Sequence, residues 1–345
     1  MQNIYGYTRK MLEDYFVDIN EKPFKATQVF EWLYQKKESD FEKFSNIKKE
    51  VIEKLKKDFS NNKIKIVKKQ ESKDTYKYLF ELEDNNHIEA VVMMHNYGNS
   101  ICVSSQVGCN MGCAFCESGR LKKIRNLQTY EMVEQILLIE NDLKIRLSSV
   151  VVMGIGEPFD NYDNIIKFLY IINDAKGLAI GSRHITVSSC GLVPKILEFA
   201  NIPLQVNLAI SLHAAYDELR NKLMPINRAY NIETLINAIK KYYSKTNRRV
   251  TIEYVMLKDV NDSLDDAKKL ANLLKGLNVY VNLIPYNETN HIEFKKTDKN
   301  KILKFGSYLQ ENNITVTIRK EFGSSIDAAC GQLRSKEVER WNHFI

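Results

Sequence analysis

The sequence predicts an α/β protein, a partial (β/α)6 barrel behind a small helical N-terminal domain. Two observations carry this. From about residue 100, short apolar runs rich in β-branched residues alternate with segments whose apolar residues recur every three or four positions, the rhythm of parallel βαβ units. About six such units fit in the chain, short of the eight that close a barrel, so the sheet should stay open. Ahead of them, the N-terminal region carries helical periodicity.

Taken in order, residues 7–16, 26–35 and 48–59 read as helices, the third stopped by Asn61-Asn62. Residues 65–67, 76–82 and 87–94 alternate like antiparallel strands, with Asp84-Asn85-Asn86 as a turn. Barrel strands are expected at 101–105, 150–153, 184–188, 206–212, 250–257, 280–285 and 315–319. Helices at 129–145, 164–172, 232–243 and 266–274 separate most of them. The chain then divides into a helical accessory domain (1–62), a β-rich connecting segment (63–95), the barrel (96–334) and a C-terminal tail (335–345).

The 345 residues are 44% hydrophobic, enough for a sizeable core, and no apolar run approaches membrane-spanning length. Six cysteines are too sparse for a disulfide framework, and no secretory leader is evident, so a cytoplasmic location is expected. A net charge of +7 does not by itself demand a nucleic-acid partner. Its distribution says more. Eight lysines fall between Lys54 and Lys73, among them Lys56, Lys57, Lys63, Lys65, Lys68 and Lys69. A second knot holds Arg120, Lys122, Lys123 and Arg125; a third holds Lys240, Lys241, Lys245, Arg248 and Arg249, interleaved with Tyr242 and Tyr243. One such run is ordinarily a solvated face; three of them point toward RNA.

The chemistry is concentrated in Cys109-x3-Cys113-x2-Cys116, directly after the first barrel strand. Three closely spaced thiolates can ligate three irons of a 4Fe–4S cluster and leave the fourth iron open to a small chelating molecule. A structural zinc site would want four ligands, and no second Cys or His pair of suitable spacing lies near. The C-x3-C-x2-C spacing, with Phe115 before the third cysteine, is the one radical S-adenosylmethionine enzymes use. In them one electron from the cluster cleaves S-adenosylmethionine to methionine and a 5′-deoxyadenosyl radical.

Barrels gather functional groups at the carboxyl ends of their strands, where this loop falls. Met153-Gly154-Ile155-Gly156-Glu157-Pro158 ends the second strand. Its glycines let backbone approach a ligand, and Glu157 can accept a hydrogen bond from an ammonium group. Ser188-Ser189-Cys190-Gly191, Ser211-Leu212-His213 and Pro285-Tyr286-Asn287 end later strands. Each alone is ordinarily a turn or cap, but all share one rim.

With these motifs the chain resembles the radical S-adenosylmethionine RNA methyltransferases of the RlmN/Cfr type. The match runs through Lys22-Pro23-Phe24-Lys25-Ala26, Phe30-Glu31-Trp32-Leu33-Tyr34, Cys102-Val103-Ser104-Ser105-Gln106-Val107-Gly108-Cys109, Gly154-x-Gly156-Glu157-Pro158, Ser211-Leu212-His213-Ala214, Pro225-Ile226-Asn227, Val281-Asn282-Leu283-Ile284-Pro285 and Ile326-Asp327-Ala328-Ala329-Cys330-Gly331-Gln332-Leu333. It covers nearly the whole chain. It departs after Cys116, where Glu117 and Lys122 stand in place of a small residue and a glycine.

The resemblance implies methylation of an electron-poor adenine carbon with two molecules of S-adenosylmethionine per methylation. One methylates the thiolate of Cys330; the other yields the radical that takes hydrogen from that S-methyl group. The methylene radical adds to the ring, tethering RNA to the enzyme. Cys102 then attacks the Cys330 sulfur, forming a disulfide and releasing product, while Glu89 accepts the ring proton. By the same match Gly156, Glu157, Ser188, Ser211, Leu212, His213 and Asn287 would bind S-adenosylmethionine, and Cys109, Cys113 and Cys116 the cluster. Cys190 matches no catalytic position and is read as structural. The helical domain would bind RNA, and an external one-electron donor such as flavodoxin or ferredoxin would serve a cytoplasmic monomer.

The implied substrate is carbon 2 of an adenosine in 23S rRNA, extending to the adenosine beside the tRNA anticodon. Carbon 8 methylation is the nearest alternative; Val107 and Ile252-Glu253-Tyr254-Val255-Met256-Leu257 look more like the carbon 2 branch. A non-catalytic iron–sulfur RNA-binding protein would need no Cys102/Cys330 pair. A radical enzyme acting on a peptide would leave the lysine-rich N-terminal segment without a role.

Overall fold

The computed structural model describes residues 1–289, 291–319 and 333. At its centre is a ten-stranded sheet with its strands in chain order. They are β1 (Lys65–Ser72), β2 (Thr75–Glu81), β3 (His87–His95), β4 (Gly98–Val103) and β5 (Leu147–Val152). There follow β6 (Ile185–Ser189), β7 (Asn207–Ser211), β8 (Val250–Met256), β9 (Val279–Pro285) and β10 (Thr315–Ile318). From β1 to β4 the pairing is antiparallel. From β4 to β10 it is parallel. The strand order is linear, an open arc rather than a closed barrel.

Helices α1 (Arg9–Asp18), α2 (Lys25–Phe30) and α3 (Lys49–Asp58) build the N-terminal region. The parallel strands are linked through α4 (Thr129–Leu143), α5 (Tyr162–Asn173), α6 (Val193–Phe199), the pair α7 (Asp217–Leu223) and α8 (Ile232–Thr246), α9 (Leu264–Leu274) and α10 (Lys299–Glu311). Because helices cover these strands, their sequences are apolar rather than alternating. Val150, Val152, Ile185, Val187, Leu208, Ile210 and Ile252 are all fully buried.

Two elements differ from the sequence expectation. The helix expected over 26–35 changes pitch, since α2 ends at Phe30 and a wider π turn spans Glu31–Gln35. Within that turn Trp32 stacks on Phe44, ring centroids 5.2 Å apart, while Phe30 and Tyr34 stay in the core. Strand β1 runs on to Ser72, past the expected 67. Its residues are mostly exposed, so the ladder to β2 holds it rather than burial, and its lysines give no apolar signal.

The N-terminal helices share the barrel's apolar core through Ile4, Leu12, Phe16 and Phe30. Arg9 reaches Asp174 at 2.9 Å and Lys176 reaches Glu31 at 2.7 Å across the same boundary. Among the described residues no helix is long and apolar enough to cross a membrane.

Candidate active site

The carboxyl ends of the parallel strands surround a cavity of about 370 Å³. Glu89, Cys102, Cys109, Cys113, Cys116, Gly156, Glu157, Ser188, Ser211, His213 and Asn287 all line it. The side chain of Leu212 is instead fully buried in the core, and its carbonyl accepts a hydrogen bond from Arg220 Nε at 3.1 Å. Cys330 lies outside the described residues.

The cysteine loop is folded back on its own return limb. Cys109 N–H donates to the Leu121 carbonyl at 3.1 Å, and Ala114 N–H to the Leu223 carbonyl at 2.9 Å. Gly108 has φ +79°, and a side chain there would collide with the Lys122 carbonyl oxygen at 2.1 Å. Burial pushes the Cys109 thiol up to about 12 and raises those of Cys113 and Cys116. Negative charge on one of these sulfurs also raises its neighbours. Such thiols become thiolates when a cationic centre joins them. Donors are already in place: the Met111 N–H serves the Cys109 sulfur, and the Ser118 and Gly119 N–H groups serve Cys116. Three thiols on one cavity wall, with N–H groups aimed at sulfur, suit an iron–sulfur cluster.

Glu117, the departure beside Cys116, is buried and takes Arg120 Nε at 3.1 Å and His291 Nδ1 at 3.0 Å. It ties the cysteine loop to the segment after β9.

The Gly154–Pro158 turn packs on the stem of the cysteine loop. Side chains at Gly154 and Gly156 would meet the Val103 carbonyl oxygen and Gln106 Cβ, each at 2.6 Å. The close approach that these glycines permit is therefore first to the protein itself. Glu157 accepts from Phe159 N–H at 3.0 Å and Cys190 N–H at 2.8 Å, which fixes its carboxylate, although burial dominates and raises its pKa. Cys190, read as structural, also lines the cavity; its thiol is buried and pushed up.

His213 sits in the left-handed region at φ +57°. Its Nδ1 accepts the Val255 N–H at 3.0 Å, so the neutral ring carries its proton on Nε2. Burial, with the Arg220 charge, lowers its pKa to about 3. The edge contact with Phe115, at 4.8 Å between ring centroids, joins it to the cysteine loop.

Sequence reasoning missed the groups that hold this rim together. Arg220 is fully buried and donates to the carbonyls of Cys190 at 2.8 Å, Ser211 at 3.2 Å and Leu212, and to Asn227 Oδ1 at 2.8 Å. Asn227, in the Pro225-Ile226-Asn227 motif, was its only sequence signal. Arg220→Met should leave those carbonyls unpaired and lower stability by about 3–5 kcal/mol in a urea titration. Gln106 joins the Glu157 N–H, at 2.8 Å, to Asp160, at 2.8 Å. The basic runs are partly neutralised: Lys56 pairs with Glu42, Lys69 with Asp142, Lys123 with Asp160 and Arg125 with Asp84 and Glu131. Sequence spacing shows little of such pairing, because apart from Glu131 the acids lie 14 to 73 residues away.

Comparison with known proteins bears on the same residues. Residues 103–274 match the model of the radical SAM superfamily, and residues 2–60 match that of the ribosomal RNA large subunit methyltransferase N-terminal domain. A probable dual-specificity RNA methyltransferase RlmN of Enterococcus faecalis is 55% identical, the alignment covering 98% of each chain. Its counterpart in Acholeplasma laidlawii is 52% identical over 97% of this chain and 99% of its own. The chain belongs to the RlmN-type radical SAM methyltransferase family. A solved radical SAM methyltransferase from Sphaerobacter thermophilus superposes with a TM-score of 0.90 at 38% identity, over 96% of this chain and 99% of that one. Family membership implies a 4Fe–4S cluster and S-adenosylmethionine, for which the rim just described has suitable residues.

Proposed function

We propose that this chain methylates carbon 2 of an adenosine in 23S rRNA, and the adenosine beside the tRNA anticodon as a second substrate, through S-methylated Cys330. One juxtaposition carries the reading: the Cys102 thiol and the Glu89 carboxylate stand on the same cavity as the three-cysteine loop. A protein that only held a cluster would have no use for a fourth thiol and a buried carboxylate there. The dual-specificity RNA methyltransferase names of its relatives supply the substrate class.

Cys109, Cys113 and Cys116 would hold the cluster, and Gly156, Glu157, Ser188, Ser211, His213 and Asn287 would hold S-adenosylmethionine. The chemistry these groups supply when bound is one-electron cleavage of S-adenosylmethionine, two molecules being used per methylation. The protein's own residues do the rest. Cys330 carries the methyl carbon to the base, Cys102 displaces the product by forming a disulfide with Cys330, and Glu89 accepts the ring proton. Glu157 and Gln106 keep the second-strand turn fixed on the cysteine loop. The β3 and β4 strands bring Glu89 and Cys102 close without any loop rearrangement, since Val91 lies opposite Cys102. The protein would act as a cytoplasmic monomer, with flavodoxin or ferredoxin as electron donor and residues 1–62 contributing to RNA binding.

The test is mass analysis of nuclease-digested 23S rRNA and tRNA from cells with and without the gene. Gene-dependent 2-methyladenosine at one 23S position is the expected result. Gene-dependent 8-methyladenosine would move the chain to the carbon 8 branch, and unchanged RNA would refute the proposal.

A further inference from the structure

Lysine is rarely buried without a reason, because its ammonium gives up hydration that only a close anion replaces. Lys77 is fully buried on β2, its Nζ 2.9 Å from Glu89 Oε2, and Glu89 on β3 is only 3% exposed. The strand register explains the meeting. Lys77 lies opposite Val91 and Leu79 opposite Glu89, so lysine and glutamate are diagonal neighbours on one face, within reach of long side chains. The next strand places Cys102 opposite Val91, which puts Lys77, Val91 and Cys102 in one row across three strands. Glu89, Val91 and Cys102 line the cavity, with Lys77 behind them. The same ammonium, with Arg319 at the end of β10, bears electrostatically on the Cys102 thiol and partly offsets its burial.

A buried ion pair is a poor choice for stability alone, since well-packed apolar residues commonly do as well. Here one member of the pair faces the cavity and the other has no access to it. The asymmetry suits a carboxylate that must keep one orientation at the cavity wall. We propose that Lys77 is a positioning residue for methyl transfer: its ammonium, 2.9 Å from Oε2, holds the Glu89 carboxylate fixed at the cavity wall, ready to receive the proton of the ring carbon. Lys77 makes and breaks no bond itself. The inference rests on the reading of Glu89 as proton acceptor.

The experiment is a double-mutant cycle on the cluster-loaded enzyme with an rRNA fragment, measuring methylated product and the covalent RNA–enzyme adduct separately. Lys77→Met should cut product formation about 10- to 100-fold, as loss of a partner that orients a reacting group commonly does. It should also raise the ratio of adduct to product, because the block falls after addition to the base. Glu89→Gln should show the same block. The double variant Lys77→Met/Glu89→Gln should be no worse than Glu89→Gln, since the role proposed for the lysine acts through that carboxylate. Lys77→Arg, which keeps the cation, should recover part of the loss. If Lys77→Met does not fold, Lys77→Gln takes its place in the cycle. Additive losses, or product formation within twofold of wild type when Lys77 alone is replaced, would overturn the role of Lys77 and leave the proton-acceptor reading standing. Undiminished turnover by Glu89→Gln would overturn that reading, and the role of Lys77 with it.

Discussion

Cys113→Ala protein is expected to fold, to bind far less iron than wild type and to cleave no S-adenosylmethionine. Wild-type protein reconstituted without oxygen should hold about four irons. Two thiolates cannot keep a cluster whose fourth iron must stay open, so losing one ligand should cost the whole group. The fold should survive because backbone bonds, not the thiol, set the loop: Ala114 N–H to the Leu223 carbonyl at 2.9 Å and Cys116 N–H to the Cys113 carbonyl at 3.1 Å. Cys190 makes the test sharp. It is a further thiol on the same cavity, beside Cys102, and interacts electrostatically with Cys113 and Cys109. Cys190→Ala should keep its iron. Full iron content in Cys113→Ala, or its loss in Cys190→Ala, would mean that the wrong cysteines have been assigned.

Periodicity made the open α/β arc legible because parallel strands buried on both faces leave unbroken apolar runs, such as Val150-Val151-Val152. The strand ends were legible for the same reason, and with them the rim. Strand β1 was legible only over residues 65–67, since its continuation to Ser72, an exposed edge of lysines and glutamine, is held by backbone pairing that leaves no mark on hydropathy. The π turn at Glu31–Gln35 was hidden too, because its one aromatic stack is on Phe44, twelve residues beyond Trp32 and near it only in the fold.

Within the site, motifs revealed residues that face the ligand space and concealed those that hold them there. Cys109, Cys113 and Cys116 announce themselves by spacing. Arg220, Gln106 and Lys77 do not, as each acts on partners brought near only by folding: the carbonyls of Cys190, Ser211 and Leu212, the N–H of Glu157, and the carboxylate of Glu89. A lysine between two tyrosines, in a largely buried strand, reads as solvated until the register shows which face it takes. The segment 63–95 reads as a connector, yet its strands extend the barrel's sheet, carrying Glu89 to the cavity and Lys77 behind it.

The roles of Cys102 and Cys330 can be separated by where the reaction stops. Cys102→Ala and Cys330→Ala should both lose product formation to background, yet differ completely in adduct. Cys330→Ala should keep its iron and form no covalent link to RNA, because the atom proposed to carry the methyl group is gone. Cys102→Ala should still methylate Cys330 and add to the base, then hold the RNA through the Cys330 sulfur with no thiol to displace it. Denaturing gels with labelled RNA, followed by nuclease digestion and mass analysis, distinguish the two. The structure adds a reason why no other described thiol should substitute for Cys102. Cys109, Cys113 and Cys116 would be committed to iron, and Cys190 is buried among apolar neighbours that keep its thiol protonated. Cys102 sits opposite Val91, one strand from Glu89; burial raises its thiol too, but Arg319 and Lys77 partly offset that. An adduct absent from Cys102→Ala, or present in Cys330→Ala, would mean that the two roles are assigned wrongly. No adduct in either variant, with iron retained in both, would favour a cluster that only fixes RNA.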